Sequence, residues 1–315
     1  MKKRLLSLLL ICCMVLCLLP AQAQAEGAAA STAAIRSVTD GIHGYNAESG
    51  YSYIYYGVWR NAPIKWRVLD TKANTGADGA LFLLTDECLY PLPGDLYDCY
   101  IQFNPDGKSD RHLWKGSTLQ DWFKNTFYSG ENSAFTSAER ALIPATTKEG
   151  SEYFYSRLYM KLQICALEAE HVFAPSIQDI VNADYGFIDS TSRIAGPINS
   201  RGTGTRYWLR SFEISEKPPV MVGEDASLYS DFSGAFSAVR PAMNLTTTGN
   251  NILFISAAEG GKPFGGLKAV SQDYTGSEWK LTLLDSSRSG FSVTTTSVST
   301  TNYGGDIQIE YSGAQ

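Results

Sequence analysis

The chain has 315 residues, 44% of them hydrophobic and 18% charged, enough for one large or two modest domains with a real core. Its 26 basic and 32 acidic residues leave a net charge of −6, and past Arg4 they form no Lys/Arg cluster, which argues against nucleic acid and anionic membranes as partners. Eighteen Tyr and 28 Gly, with abundant Ser and Thr, suit a β-rich extracellular protein with many turns.

The first element is a targeting segment. Lys2, Lys3 and Arg4 precede an apolar run from Leu5 to Leu19, then Pro20 and the small-residue tract Ala21 to Ala25. That order is the pattern of a secretory signal peptide (1–25) cleaved after Ala23 or Ala25. At about 15 residues the run is shorter than a spanning helix needs, so no membrane insertion is expected after cleavage. Removing the three basic residues leaves 23 against 32 acidic ones, a net charge of about −9. Cys12, Cys13 and Cys17 leave with the signal, and Cys88, Cys99 and Cys165 remain. An odd count rules out a full intramolecular disulfide framework. Cys88 and Cys99 could pair across a short loop, or all three could stay buried thiols.

Residues 26–46 carry no periodicity and read as a flexible leader. A main domain over 47–246 follows. The alternation in 51–59 and in 64–70, where Ile64, Trp66 and Val68 oppose Lys65 and Arg67, predicts a β-hairpin turning at 61–63. The apolar run 80–86 reads as a central strand. Residues 89–117, rich in Pro, Gly, Tyr and Asp, form a long loop, and such loops in compact domains are functional or disordered. Ser117 caps a helix over 117–128, with Leu119, Trp122, Phe123 and Phe127 at helical spacing. Thr136 and Glu139 make a capping box, and Ser176 begins a third short helix over 175–183. Residues 189–205 are loop, and 206–212 and 235–245 are strands. Beyond Leu245, alternating segments at 278–285, 290–300 and 306–313 predict a small all-β segment (247–315) of immunoglobulin-like type. Three or four strands are fewer than that fold wants, so the segment is either an appendage to the main domain or the start of an incomplete one.

The ordered blocks Pro63 to Leu69, Leu81 to Asp86, Ser117 to Phe127, Ala134-Phe135-Thr136, Trp208-Leu209-Arg210-Ser211 and Val239 to Leu245 resemble the pattern of a family of uncharacterised secreted bacterial domains. More loosely, the pattern is similar to the C-type lectin-like fold of formylglycine-generating enzymes and of hypervariable bacterial ligand-binding proteins. The resemblance implies an α+β, C-type lectin-like mixed domain with antiparallel strands and a few short helices, whose motif residues are scaffold and whose loops bind. Formylglycine generation needs a cysteine pair late in the domain, and no cysteine follows Cys165. The sugar-binding signatures of calcium-dependent lectins are also missing.

Residue chemistry points the same way. Trp66, Trp122 and Trp208 lie on apolar faces and read as core. Arg210 and Arg240 stand on strands, where they pair with buried carboxylates or carbonyls and lock register. In the loop 89–116, Tyr97, Tyr100, Arg111, His112 and Trp114 mix aromatic rings with polar groups, a combination suited to a sugar face and its hydroxyls. Arg206, Asp225 and Tyr229, from the loop region 185–234, complete the candidate ligand-binding set. The segment 104–110 has oxygen ligands at alternate positions and a turn glycine, but Lys115 stands where a calcium loop places its closing acid, so no metal site and no cofactor is assigned. His43, His112 and His171 show no zinc spacing. No nucleophile elbow occurs, and no catalytic residue is assigned. The expectation is a secreted, non-catalytic binding module for an extracellular glycan or surface protein. An adhesin segment of a larger surface protein, or a secreted hydrolase, is the alternative.

Overall fold

The computed structural model describes residues 42–92, 100–105, 112–196, 204–248, 252–259, 262–263, 276–283, 292–293 and 311–312. The expected signal peptide, most of the leader, Cys99, and the candidate residues Tyr97 and Arg111 lie outside them, as does most of 247–315.

The described chain is mostly strand with a few short helices, a mixed α+β arrangement of open sheets. The hairpin forms where the alternation predicts it: β1 (Tyr53–Trp59) and β2 (Ala62–Asp70) pair antiparallel, with Ile54 opposite Trp66 and Tyr53 opposite Arg67. Arg60 and Asn61 turn the chain with φ of 51° and 64°, the two positive values that a tight hairpin loop requires. A bulge between Tyr55 and Val58 breaks the register. It falls at Gly57 (φ 72°), where a Cβ would collide with the Ala134 carbonyl and the Phe135 ring.

β3 (Ala80–Thr85), wholly buried, pairs with β2. β4 (Ile101–Gln102) is a short strand inside the long loop. Ser117 caps α1 (Thr118–Asp121), its side chain accepting from the Gln120 amide. The helix continues as a π-helix, Trp122–Tyr128, which buries Trp122, Phe123 and Phe127. Thr136 and Glu139 form the capping box of α2 (Ser137–Arg140). Five strands follow: β5 (Thr146–Lys148), β6 (Ser151–Tyr155), β7 (Met160–Ile164), β8 (Leu167–Glu170) and β9 (Val172–Phe173). α3 (Ile177–Ile180) is capped by Ser176 and Asp179. Then come β10 (Tyr207–Glu213), β11 (Pro219–Val222), β12 (Leu228–Ser230), β13 (Phe236–Ser237), β14 (Ala242–Thr246), β15 (Ile252–Glu259), β16 (Lys262–Pro263) and β17 (Glu278–Leu283).

Two sheets dominate. The larger has the order β16-β15-β17-β1-β2-β3-β14-β9, and the smaller β12-β11-β10-β7-β6. Every named pairing is antiparallel except β1 with β17, which run parallel. β15 and β17 therefore extend the main sheet beyond β1. Residues 42–46, which the sequence groups with the leader, pack on the domain. Ile42 is 4% exposed, and Asn46 and Gly50 exchange backbone hydrogen bonds.

Core packing follows from the motif blocks. Trp66 and Trp208 are fully buried, and each indole N–H donates to a carbonyl, of Tyr56 and Ile101 respectively. Trp122, 5% exposed, stacks on Phe127. Asn244 ties three segments, accepting from the Asn74 amide and donating to Thr146 Oγ1. Burial without such partners would cost about 1–3 kcal/mol per polar group. Arg210 and Arg240 are also fully buried. Arg210 donates to the Cys165 carbonyl (2.6 Å) and to Asp179 (3.4 Å). Burial lowers its pKa, and Asp179 opposes that fall. Among the described residues no helix is long and apolar enough to cross a membrane.

Candidate functional site

An open cleft of about 600 Å³ lies where the β1–β2 hairpin, the end of β3 and the segment 186–196 meet. Alternation sends Lys65 and Arg67 to the face of β2 away from Trp66, and register sets Tyr53 across from Arg67. Tyr51 lies just before β1, and Tyr45 comes from the turn ahead of it. Their rings meet at 5.1 Å between centroids, tilted by 53°. The chain leaves β3 at Thr85, so Asp86 and Glu87 stand at its end, beside Arg67.

The floor of the cleft is an ion pair. Arg67 Nε donates to Asp86 Oδ1 at 2.6 Å, and the guanidinium carbon lies 5.1 Å from the Tyr51 ring centroid. Burial alone would lower the Arg67 pKa, but the Asp86 carboxylate and its hydrogen bond prevail and raise it. Burial raises the Tyr51 hydroxyl, which donates to the Tyr185 carbonyl at 2.8 Å. Behind this pair Lys65 bonds Glu278 at 2.6 Å and reaches the other Asp86 oxygen at 3.8 Å.

The second wall is built on Gly186, at φ 81° the left-handed end of a short 3₁₀ turn, Ala183–Tyr185. A Cβ there would collide with both the Tyr45 ring and the Tyr51 hydroxyl, so only glycine lets the wall approach the tyrosines. Asp189 then folds the chain back: its Oδ1 accepts from the Ser192 amide and the Thr191 hydroxyl, both at 2.8 Å. Those bonds, the Ser192 amide first, hold its carboxyl below the usual value, so it stands ionised at the rim.

Arg240 joins the two walls from below. Its Nε donates to the Thr85 carbonyl at 3.0 Å, and Nη2 to the Asp86 carbonyl at 3.3 Å. Nη1 donates to the Arg193 carbonyl at 3.3 Å and to the Tyr207 hydroxyl at 3.1 Å. One buried guanidinium thus fixes the end of β3 and the turn after Asp189 together.

The residues expected to bind lie elsewhere. Trp114 is a correction: it is fully buried, its indole donates to Glu170 Oε1 at 3.1 Å, and it packs on Phe123, so it is part of the core. His112 is 9% exposed and packs edge-on against Phe212. Tyr100, Arg206 and Tyr229 do come together, in a patch apart from the residues lining the cleft. Arg206 lies over the Tyr100 ring at 5.8 Å, and Tyr100 is 5.8 Å from Tyr90. Burial raises the Tyr229 hydroxyl, and the Arg206 cation beside it opposes that rise. Asp225 is exposed; its carboxyl is held low by the Ser227 hydroxyl and amide. The cleft residues Tyr45, Tyr51, Arg67, Asp86 and Asp189 were missed. The available signal was the polar face of the hairpin, Tyr51, Tyr53, Lys65 and Arg67 in register, followed by Asp86 at the end of the next strand.

Cys88 and Cys165 are free and buried, and burial pushes the Cys88 thiol up to about 12. Cys88 Sγ lies 3.7 Å from the Thr205 carbonyl, while His171 stacks on Tyr128 with Nδ1 2.6 Å from the Ile143 carbonyl. Among the described residues no group of three His, Cys, Asp or Glu is placed to hold a metal ion. No curated protein and no solved structure matches the chain. Residues 78–247, more than half of it, match one family model, and the chain belongs to that family, the domain of unknown function DUF6273.

Proposed function

We propose that the protein is a secreted, non-catalytic binding module that takes an extracellular glycan into the cleft between the β1–β2 hairpin and the segment 186–196. The observation that carries this reading is the juxtaposition of the half-buried Tyr45–Tyr51 ring pair with the Arg67–Asp86 ion pair and the ionised Asp189. A flat ring covers the apolar face of a sugar, while a guanidinium and carboxylates side by side offer donors and acceptors to its hydroxyls. The signal-peptide pattern of residues 1–25 supports an extracellular setting. The lectin-like resemblance belongs to the same proposal, as does the immunoglobulin-like reading of the later strands: mixed open sheets with binding loops at one end are what such a module needs.

The test is retention of the mature chain on a glycan array and on isolated cell walls, wild type against Tyr45→Ala. Retention that Tyr45→Ala abolishes, with an unchanged melting temperature, supports the reading. Retention indifferent to Tyr45, or none on any surface, overturns it. Turnover of a glycan in the same assay would replace it with the hydrolase alternative.

A further inference from the structure

We infer that the cleft selects an amine-bearing sugar over its neutral or N-acetylated counterpart, an inference that rests on the cleft being a glycan site. The reason is which charges are already paired. Arg67 closes on Asp86, and Lys65 closes on Glu278. The remaining lining carboxylates, Glu87 and Asp189, are exposed, and no cation pairs with either among the described residues.

The nearby buried cations do not fill that role. Arg193 donates to the carbonyls of Ala226 and Asp189, and Arg240 donates to three carbonyls and a hydroxyl. Neither lines the cleft. Asp189 is held ionised by its own turn, with its second oxygen left over for a ligand. The tyrosine rings add a further preference, because the face of an aromatic ring attracts a cation and is indifferent to an acetamide. Two exposed carboxylates and one ring face are each worth only a fraction of the energy of a buried pair, so the selectivity is modest, about fivefold.

The experiment compares glucosamine and N-acetylglucosamine oligomers of equal length by calorimetry with the mature chain, at about pH 6, where the amine is protonated. The expected result is binding of the amine form about fivefold tighter in dilute buffer, a preference that shrinks at about 0.5 M salt. The double variant Glu87→Gln/Asp189→Asn should lose the preference and bind both oligomers alike. Equal affinities in the wild type, or a preference for the acetylated form, overturn the inference; if Tyr45→Ala then abolishes both, the glycan reading stands without it. If neither oligomer binds, this inference falls, and the glycan reading is decided separately by retention on the array.

Discussion

Two segments of this protein have similar ingredients and opposite fates. Residues 112–128 and 185–196 each mix aromatic rings with charged and hydroxylated side chains. The first folds inward. Trp114 finds Glu170 for its indole N–H, Gln120 donates to the same carboxylate, and the π-helix lays Trp122, Phe123 and Phe127 into the core. The second stays outward. Over 188–192 its polar groups satisfy one another within a few residues, Asp189 with Thr191 and Ser192, and Ile188 is left 62% exposed, while Arg193 beyond them is buried and reaches Ala226. What separates them is where the polar atoms find partners. A long-range partner draws a loop into the core, whereas local partners leave it at the surface with an edge free for something else.

The largest expected effect tests the first half of that contrast. Trp114→Ala should destabilise the fold by about 3–5 kcal/mol, read as a drop in the thermal or urea midpoint, because it empties a wholly buried site and removes one of the donors to Glu170. A melting temperature within a degree or two of wild type would return Trp114 to the surface. Gly186→Ala should cost about 2 kcal/mol, since alanine disfavours φ 81° and its methyl group would displace both tyrosines. Near-ultraviolet circular dichroism should report the ring displacement, and an unchanged tyrosine signal would mean that the wall is not seated as described.

Tyr45→Ala should change stability by less than about 1 kcal/mol, because the ring is only part-buried at the edge of the domain, while removing retention on the glycan surface. That dissociation of binding from stability is the counterpart of the Trp114 result. The smallest effect is electrostatic. The hydrogen bonds that lower the Asp189 pKa support its turn fully above the ordinary carboxyl value and are lost as pH falls through the lowered one. The Ser192 amide resonance should therefore hold steady from neutral pH to about pH 4 and move only below it. Movement between pH 5 and 7 would show that Asp189 is not bonded in this way.

Much of the scaffold was legible because its signals are local. Alternation marked β1 and β2, a continuous apolar run marked β3, Ser117, Thr136 and Ser176 announced three helix starts, and the tryptophans stood on apolar faces. The hairpin of β6 and β7 was missed. Its turn at 156–159 has no glycine, and Tyr159 takes the positive φ of 53° instead. The cleft was illegible for a different reason. Lys65 and Arg67 read as an ordinary solvated face, because nothing in the sequence says that a loop beginning at Gly186 will come to rest over them. Trp114 failed in the opposite direction: an indole in a polar loop looks available until Glu170, 56 residues later, is known to receive it.

The parallel pairing of β1 with β17 has a consequence in time as well as in space. Tyr53 donates its amide to the Ser277 carbonyl, and Tyr55 bonds Glu278, 223 residues further along. Until those residues have been made, one edge of β1 carries bare amides and carbonyls, an open invitation to pair with a neighbouring chain. Loop closure over such a separation is entropically costly, so the seal is among the late events of folding. Ribosome profiling or force-pulse measurements on arrested chains should find β1 protected only once synthesis has passed Leu283.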